Sequence, residues 1–147
     1  MAYFIPEHIN LNITCYNYYT LTQLFPKEGI QLTLAGGLLH KADQMFESSY
    51  ANELIRSRRA SKFFLAASGI HEALGITCAH NYEVLTKKAA MSSSLSTILV
   101  ADSSKFGLVR SAFVAPLNSV DAIVTDSSIT DEWKNIIQDM GIKLYIV

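Results

Sequence analysis

Cysteine is scarce in this chain: Cys15 and Cys78 are the two it has in 147 residues. They fall far short of the disulfide frameworks on which small secreted domains depend, and read as reduced thiols of a cytoplasmic protein. An excess of one charge is also lacking, since twelve Lys and Arg stand against thirteen Asp and Glu, a formal net charge of −1. The concentrated basic surface that grips nucleic acid is therefore not expected of the chain as a whole. No charged-then-apolar leader is expected, and no apolar run approaches the roughly 18 residues that suggest a membrane span. No low-complexity tract, repeat or Pro/Gly/Ser linker divides the sequence. What the chain does have is apolar content, 50% of its residues, in a length that suits one domain with a substantial core. The expectation is a soluble cytoplasmic domain with no membrane partner.

Short β-rich runs alternate with helical patterns. "NITCYN" (12–17), "IQLTLAG" (30–36) and "KFFLAAS" (62–68) read as strands, with "YYTLTQLF" as about two helical turns broken by Pro26 and Gly29. In "SSYANELIRSRR", Tyr50, Ala51, Leu54 and Ile55 share one helical face, and Ser48 or Ser49 can cap its start. "NYEVLTKKAAMSSSL" reads as a helix capped by Asn81. "TILVAD", "AFVAP" and "DAIVTD" follow as strands, then the helix "TDEWKNIIQDMG" and the strand "IKLYIV". In that helix Trp133, Ile136, Ile137 and Met140 form the inward stripe, and Gly141 is its C-terminal glycine. Continuous rather than alternating hydrophobicity in "TILVA", "DAIVT" and "KLYIV" marks strands covered on both faces. The fold class is thus α/β, a mostly parallel sheet flanked by helices.

Function in such sheets gathers beyond the carboxyl ends of the strands. Three ends are polar or glycine-rich: "LTLAGGLLH", "FFLAASGIH" and "LVADSSKFG". Gly36 and Gly37 let a ligand approach the backbone, or simply make a turn. Ser68 and Gly69 form a small-residue turn, and Gly75, Ile76 and Thr77 a second tight point. Their amides and hydroxyls suit a phosphate or sugar oxygen, or an ordinary loop. Asp102 and Lys105 present a carboxylate and an ammonium to one polyol phosphate, or pair with each other in solvent. Cys78, His80 and His71 do not complete a metal set, and "RSRRASK" reads as solvated cations at a helix end. No serine lies in anything resembling a nucleophile elbow, which sets hydrolase chemistry aside.

Taken together, "TCYNYYTLTQLF", "LAGGLLH", "KFFLAASGIHEALGITC", "NYEVLTKKAAM" and "LVADSSKFGLVRSAF" resemble, in order and spacing, the C-terminal effector-sensing domain of DeoR-family transcriptional repressors. The resemblance covers essentially the whole chain. "GIH" at 69–71, with "TCY" before it, resembles the deoxyribonucleoside-operon branch; more typical members carry aspartate at His71 and "TN" near Thr14 and Cys15. The resemblance implies the fold shared by ribose-5-phosphate isomerase, glucosamine-6-phosphate deaminase and CoA transferases. It implies a phosphorylated sugar effector, deoxyribose-5-phosphate or a near relative, with no cofactor. Lys105, in a segment similar to the isomerases' Asp-x-Ser-Lys, would meet the sugar phosphate, with Asp102 orienting it.

Where the sequence departs from the isomerases it speaks against catalysis. By that alignment their catalytic glutamate falls on Lys87, and the aspartate of their Gly-Ala-Asp turn on Ser68. Aldose–ketose isomerisation needs a carboxylate base, whereas an ammonium binds anions. Glu83, one turn before Lys87, is expected to pair with it; the alternative is an enzyme of the same fold using Glu83 as base. The expected site is Gly36, Gly37, Ser68, Gly69, His71, Thr77, Lys87, Asp102 and Lys105. The family's helix-turn-helix, first strand and phosphate loop would precede "MAYFIPEHI", so residues 1–147 read as one partial sensing domain. Such a domain would meet DNA only through the absent helix-turn-helix. Its uncovered sheet edge points to a homo-oligomer.

Overall fold

The computed structural model describes residues 2–6 and 9–147, and the chain divides into two units, Met1–Ser57 and Arg58–Val147. Met1, Glu7 and His8 of "MAYFIPEHI" lie outside the described residues; Ala2–Phe4 make one 3₁₀ turn.

In the first unit β1 (Leu11–Cys15) pairs in parallel with β2 (Ile30–Leu34), Cys15 opposite Leu34. Between them runs α1 (Tyr18–Leu24), whose start is capped by Asn17 Oδ1 accepting from Thr20 N at 2.9 Å. The segment read as a glycine turn continues as a hairpin of β3 (Leu38–His40) and β4 (Met45–Glu47). Helix α2 (Ser49–Ser57) is capped by Ser48 Oγ, which accepts from Ala51 N at 2.9 Å. Ala51 and Ile55 are buried, but Tyr50 points outward at 81% exposure, so it leaves the face expected of it.

The second unit runs β5 (Phe63–Ala66), β6 (Gly69–His71), β7 (Gly75–Cys78), α3 (Tyr82–Ser92), β8 (Thr97–Val100), β9 (Ala112–Ala115), β10 (Ala122–Thr125), α4 (Asp131–Asp139) and β11 (Lys143–Ile146). Strands β11, β10, β8 and β5, in that order, form one parallel sheet with helices packed on it. Its register sets Leu65, Leu99, Ile123 and Leu144 in one row. The first three of these are fully buried in the core with Ile137 of α4. Each such side chain contributes about 1.5–3 kcal/mol of transfer free energy. Thr130 caps α4 by accepting from Trp133 N, and Gly141 ends it at φ +70°, where glycine avoids a Cβ clash.

Two local expectations differ. Strands β6 and β7, where the sequence reads as loops around glycines, form a small antiparallel sheet with β9, the strand expected at "AFVAP". Buried Ile70 and Ile76 supply the apolar reason for that pairing. Asn81 stands at the start of α3 without a side-chain cap bond. Glu83 Oε1 instead accepts from the preceding His80 N at 3.1 Å. No helix among the described residues is long and apolar enough to cross a membrane.

Candidate ligand-binding site

Ala66 of β5 pairs with Val100 of β8, and Val100 with Val124 of β10, so the loops leaving these strands emerge side by side. The loop after β8 carries the 3₁₀ turn Ser103–Lys105, capped by Asp102. Ser104 N donates to Asp102 Oδ1 at 3.1 Å, and the Ser104 hydroxyl bonds to the same oxygen. Lys105 Nζ lies 3.1 Å from Ser104 Oγ and 3.4 Å from Asp102 Oδ2, its side chain 35% exposed. The Ser104 hydroxyl, with Lys105 beside it, holds the Asp102 carboxyl below the ordinary carboxylate range.

Asp126, just past β10, completes the loop. Its Oδ2 accepts from Ser103 N at 2.7 Å and its Oδ1 from Ser128 N at 2.9 Å. These backbone donors, Ser103 first, lower the Asp126 carboxyl to about 2. Carboxylates of the protein thus occupy the first amides of the turn, which leaves those amides no backbone cradle for an anion.

The loop after β5 is tied into the same region. Ser68 N donates to Thr77 O at 3.0 Å and Gly107 N to Ile70 O at 2.8 Å. Thr77 is buried; its hydroxyl donates to Gly69 O at 3.1 Å and accepts from Arg110 N at 2.9 Å. Arg110 Nε reaches back to Ser68 O at 3.4 Å, and its side chain is exposed. A Cβ on Gly69 would stand 2.7 Å from Leu108 O and 2.7 Å from Thr77 Oγ1. Gly69 and Thr77 therefore seat residues 108–110, and the Thr77 hydroxyl is already occupied.

Ser68, Gly69, Thr77, Asp102 and Lys105 are thus linked through the tips of β5 and β8 and the adjoining hairpin. The remaining expected residues stand differently. His71 Nδ1 accepts from Ala73 N and Leu74 N, each at 3.2 Å, at the turn end of the hairpin, opposite the Gly69–Thr77 pair. Lys87 is buried on α3 with Nζ 2.7 Å from Glu83 Oε2, the pairing expected from their spacing. That buried pair adjoins Cys78, whose thiol is pushed up mainly by burial. Gly36 and Gly37 stand in the first unit between β2 and β3. A Cβ on Gly37 would collide with Glu47 O, so close approach of its own hairpin accounts for that glycine. A hollow of about 300 Å³ lined by Leu74, Phe113, Pro116 and Met140 among others contains none of the expected residues.

Residues 1–127 match the family described as the DeoR C-terminal sensor domain. The chain belongs to that family. Across 140 residues the sensor domain is 31% identical to the deoxyribose operon repressor of Escherichia coli (strain K12), covering 95% of this chain and 56% of that protein. It is 30% identical over 123 residues to the HTH-type transcriptional repressor GlcR of Bacillus subtilis (strain 168), covering 84% of the chain and 47% of that protein. With the glycerol-3-phosphate regulon repressor of Escherichia coli (strain K12) it shares 29% identity over 144 residues, 98% of the chain and 57% of that protein. The chain spans about half the length of these relatives. Arg110 and Asp126 of the sensor domain were not singled out from sequence. Both are bonded to other loops, Arg110 donating from Nε to Ser68 O and from its backbone N to the Thr77 hydroxyl, Asp126 accepting from Ser103 N, and no spacing rule announces such bonds.

Proposed function

We propose that this DeoR-type sensor domain binds a small phosphorylated sugar, deoxyribose-5-phosphate or a near relative, at the tips of β5 and β8 and does not convert it. Lys105 and Arg110 meet the phosphate, Lys105 as a point charge and Arg110 as a planar fork. Asp102, ionised and acceptor-only, takes a sugar hydroxyl. Two relatives, named for deoxyribose and for glycerol-3-phosphate, support this ligand class.

The observation that carries binding without conversion is the state of Glu83. Its Oε1 accepts from His80 N and its Oε2 from the Lys87 ammonium, inside a buried pair. A carboxylate engaged at both oxygens and shut from solvent is unavailable as a base for moving a proton between sugar carbons. Calorimetric titration with deoxyribose-5-phosphate, alongside turnover assays on ribose-5-phosphate and glucosamine-6-phosphate, tests the reading. Saturable binding without turnover supports it; turnover lost in Glu83→Gln would establish the isomerase or deaminase alternative.

In an intact regulator the bound sugar would favour one arrangement of sensor domains and shift the population competent for DNA. DNA contact belongs there to a helix-turn-helix domain, and this chain by itself is not expected to retard operator DNA. Self-association is proposed for the sheet face opposite the Leu65–Leu99–Ile123 row, where Phe64 and Tyr145 keep 43% and 54% exposure. Sedimentation at rising concentration reads it directly.

A further inference from the structure

We infer that Asp126 is the positioning residue of the ligand site: by holding Ser103 it sets where Lys105 stands. This rests on the sugar-phosphate reading and deepens it. The geometry separates two carboxylates with different jobs. Asp102 binds Ser104 and Lys105, but it belongs to their own loop and moves with it. Asp126 comes from the neighbouring strand, where Ala101 N donating to Val124 O at 3.1 Å fixes the two strand ends together. Its 2.7 Å bond to Ser103 N therefore ties the 3₁₀ turn to the sheet rather than to itself. Lys105 is the third residue of that turn and its N donates to Asp102 O at 3.1 Å, so rotation at Ser103 carries the ammonium with it. The far side of the turn is held separately: Phe106 packs edge-on against Trp133 with centroids 5.2 Å apart, and Gly107 N binds Ile70 O. With both oxygens on backbone amides, Asp126 acts through Lys105 and not on the ligand.

The test compares Asp126→Ala, Asp126→Asn, Lys105→Ala and the double variant Asp126→Ala/Lys105→Ala. Deoxyribose-5-phosphate is titrated into each by calorimetry, and the Ser103 and Lys105 amide resonances are followed by NMR. Asp126→Ala is expected to weaken binding at least tenfold and to move both resonances. Asp126→Asn keeps an acceptor oxygen for Ser103 N and should recover most of the affinity. In the Lys105→Ala background, Asp126→Ala should add less than twofold, because a residue acting through Lys105 has nothing left to position. A general folding role would instead persist in that background. Unchanged affinity in Asp126→Ala, or an undiminished loss in the double variant, overturns the inference. If the unaltered chain does not bind the sugar phosphate, the ligand reading fails. The positioning claim then turns on the resonances: it is sustained if Ser103 and Lys105 move together in Asp126→Ala, or in Asp126→Asn should the alanine variant not fold, and refuted if they stay in place.

Discussion

Lys87 Nζ stands 2.7 Å from Glu83 Oε2, one turn away on α3, with 6% and 10% of the two side chains exposed. Removing one member strands a buried charge. Lys87→Met is therefore expected to cost about 3–5 kcal/mol in urea denaturation, whereas Glu83→Gln/Lys87→Met should recover much of that loss. A single-variant cost below about 1 kcal/mol would mean that the pair behaves as a solvated one.

Lys105→Ala and Arg110→Ala are each expected to weaken deoxyribose-5-phosphate binding more than tenfold, on the order of 1.4 kcal/mol or more. Both side chains reach solvent, so thermal stability should barely change. Trp133, the single tryptophan, packs against Phe106 at the end of the Lys105 loop, and its fluorescence offers an independent record of the same titration. Full affinity in either variant removes that residue from the site.

His71 and Gly69 are two residues apart in the same strand and should behave oppositely. His71→Ala removes the acceptor of two turn amides, with an expected cost of about 1 kcal/mol in stability and no change in ligand affinity. Gly69→Ala drives a Cβ to 2.7 Å from the Leu108 carbonyl and displaces the segment carrying Arg110. It should lose affinity, and stability with it. Reversed outcomes would place His71, not the Gly69 seat, at the ligand.

Acid should act through Asp126. Its folded value of about 2 lies below the ordinary 3.8, so the ionised form is favoured by folding. The stability it contributes is present above about pH 4 and disappears as pH falls through about 2. Urea midpoints of the unaltered chain and Asp126→Asn should differ at pH 6 and converge between pH 4 and pH 2. A constant difference across that window would contradict the assignment.

The parallel sheet was legible because Leu65, Leu99 and Ile123 lie in runs whose hydrophobicity does not alternate, but the full cover expected on both faces is found on one: Phe64 and Tyr145 on the other stay exposed. The Glu83–Lys87 pair was legible from helical spacing. The β6–β7 hairpin was not, because Gly69 and Gly75 punctuate it as a loop would, and its pairing depends on a tertiary fit under Leu108 and Ala115. Thr77 reads as a free hydroxyl until Arg110, 33 residues on, is found donating to it. The tie between Asp126 and Ser103 spans 23 residues and joins two loops that become neighbours only when β8 and β10 pair.

The most direct measurement is a calorimetric titration of this chain with deoxyribose-5-phosphate and, in parallel, with unphosphorylated 2-deoxyribose, the recovered sugar then being analysed for conversion. The account predicts saturable binding of the phosphate ester, at least tenfold weaker binding of the free sugar, and ligand recovered unchanged. Equal affinity for the two sugars, or a converted product, would contradict it.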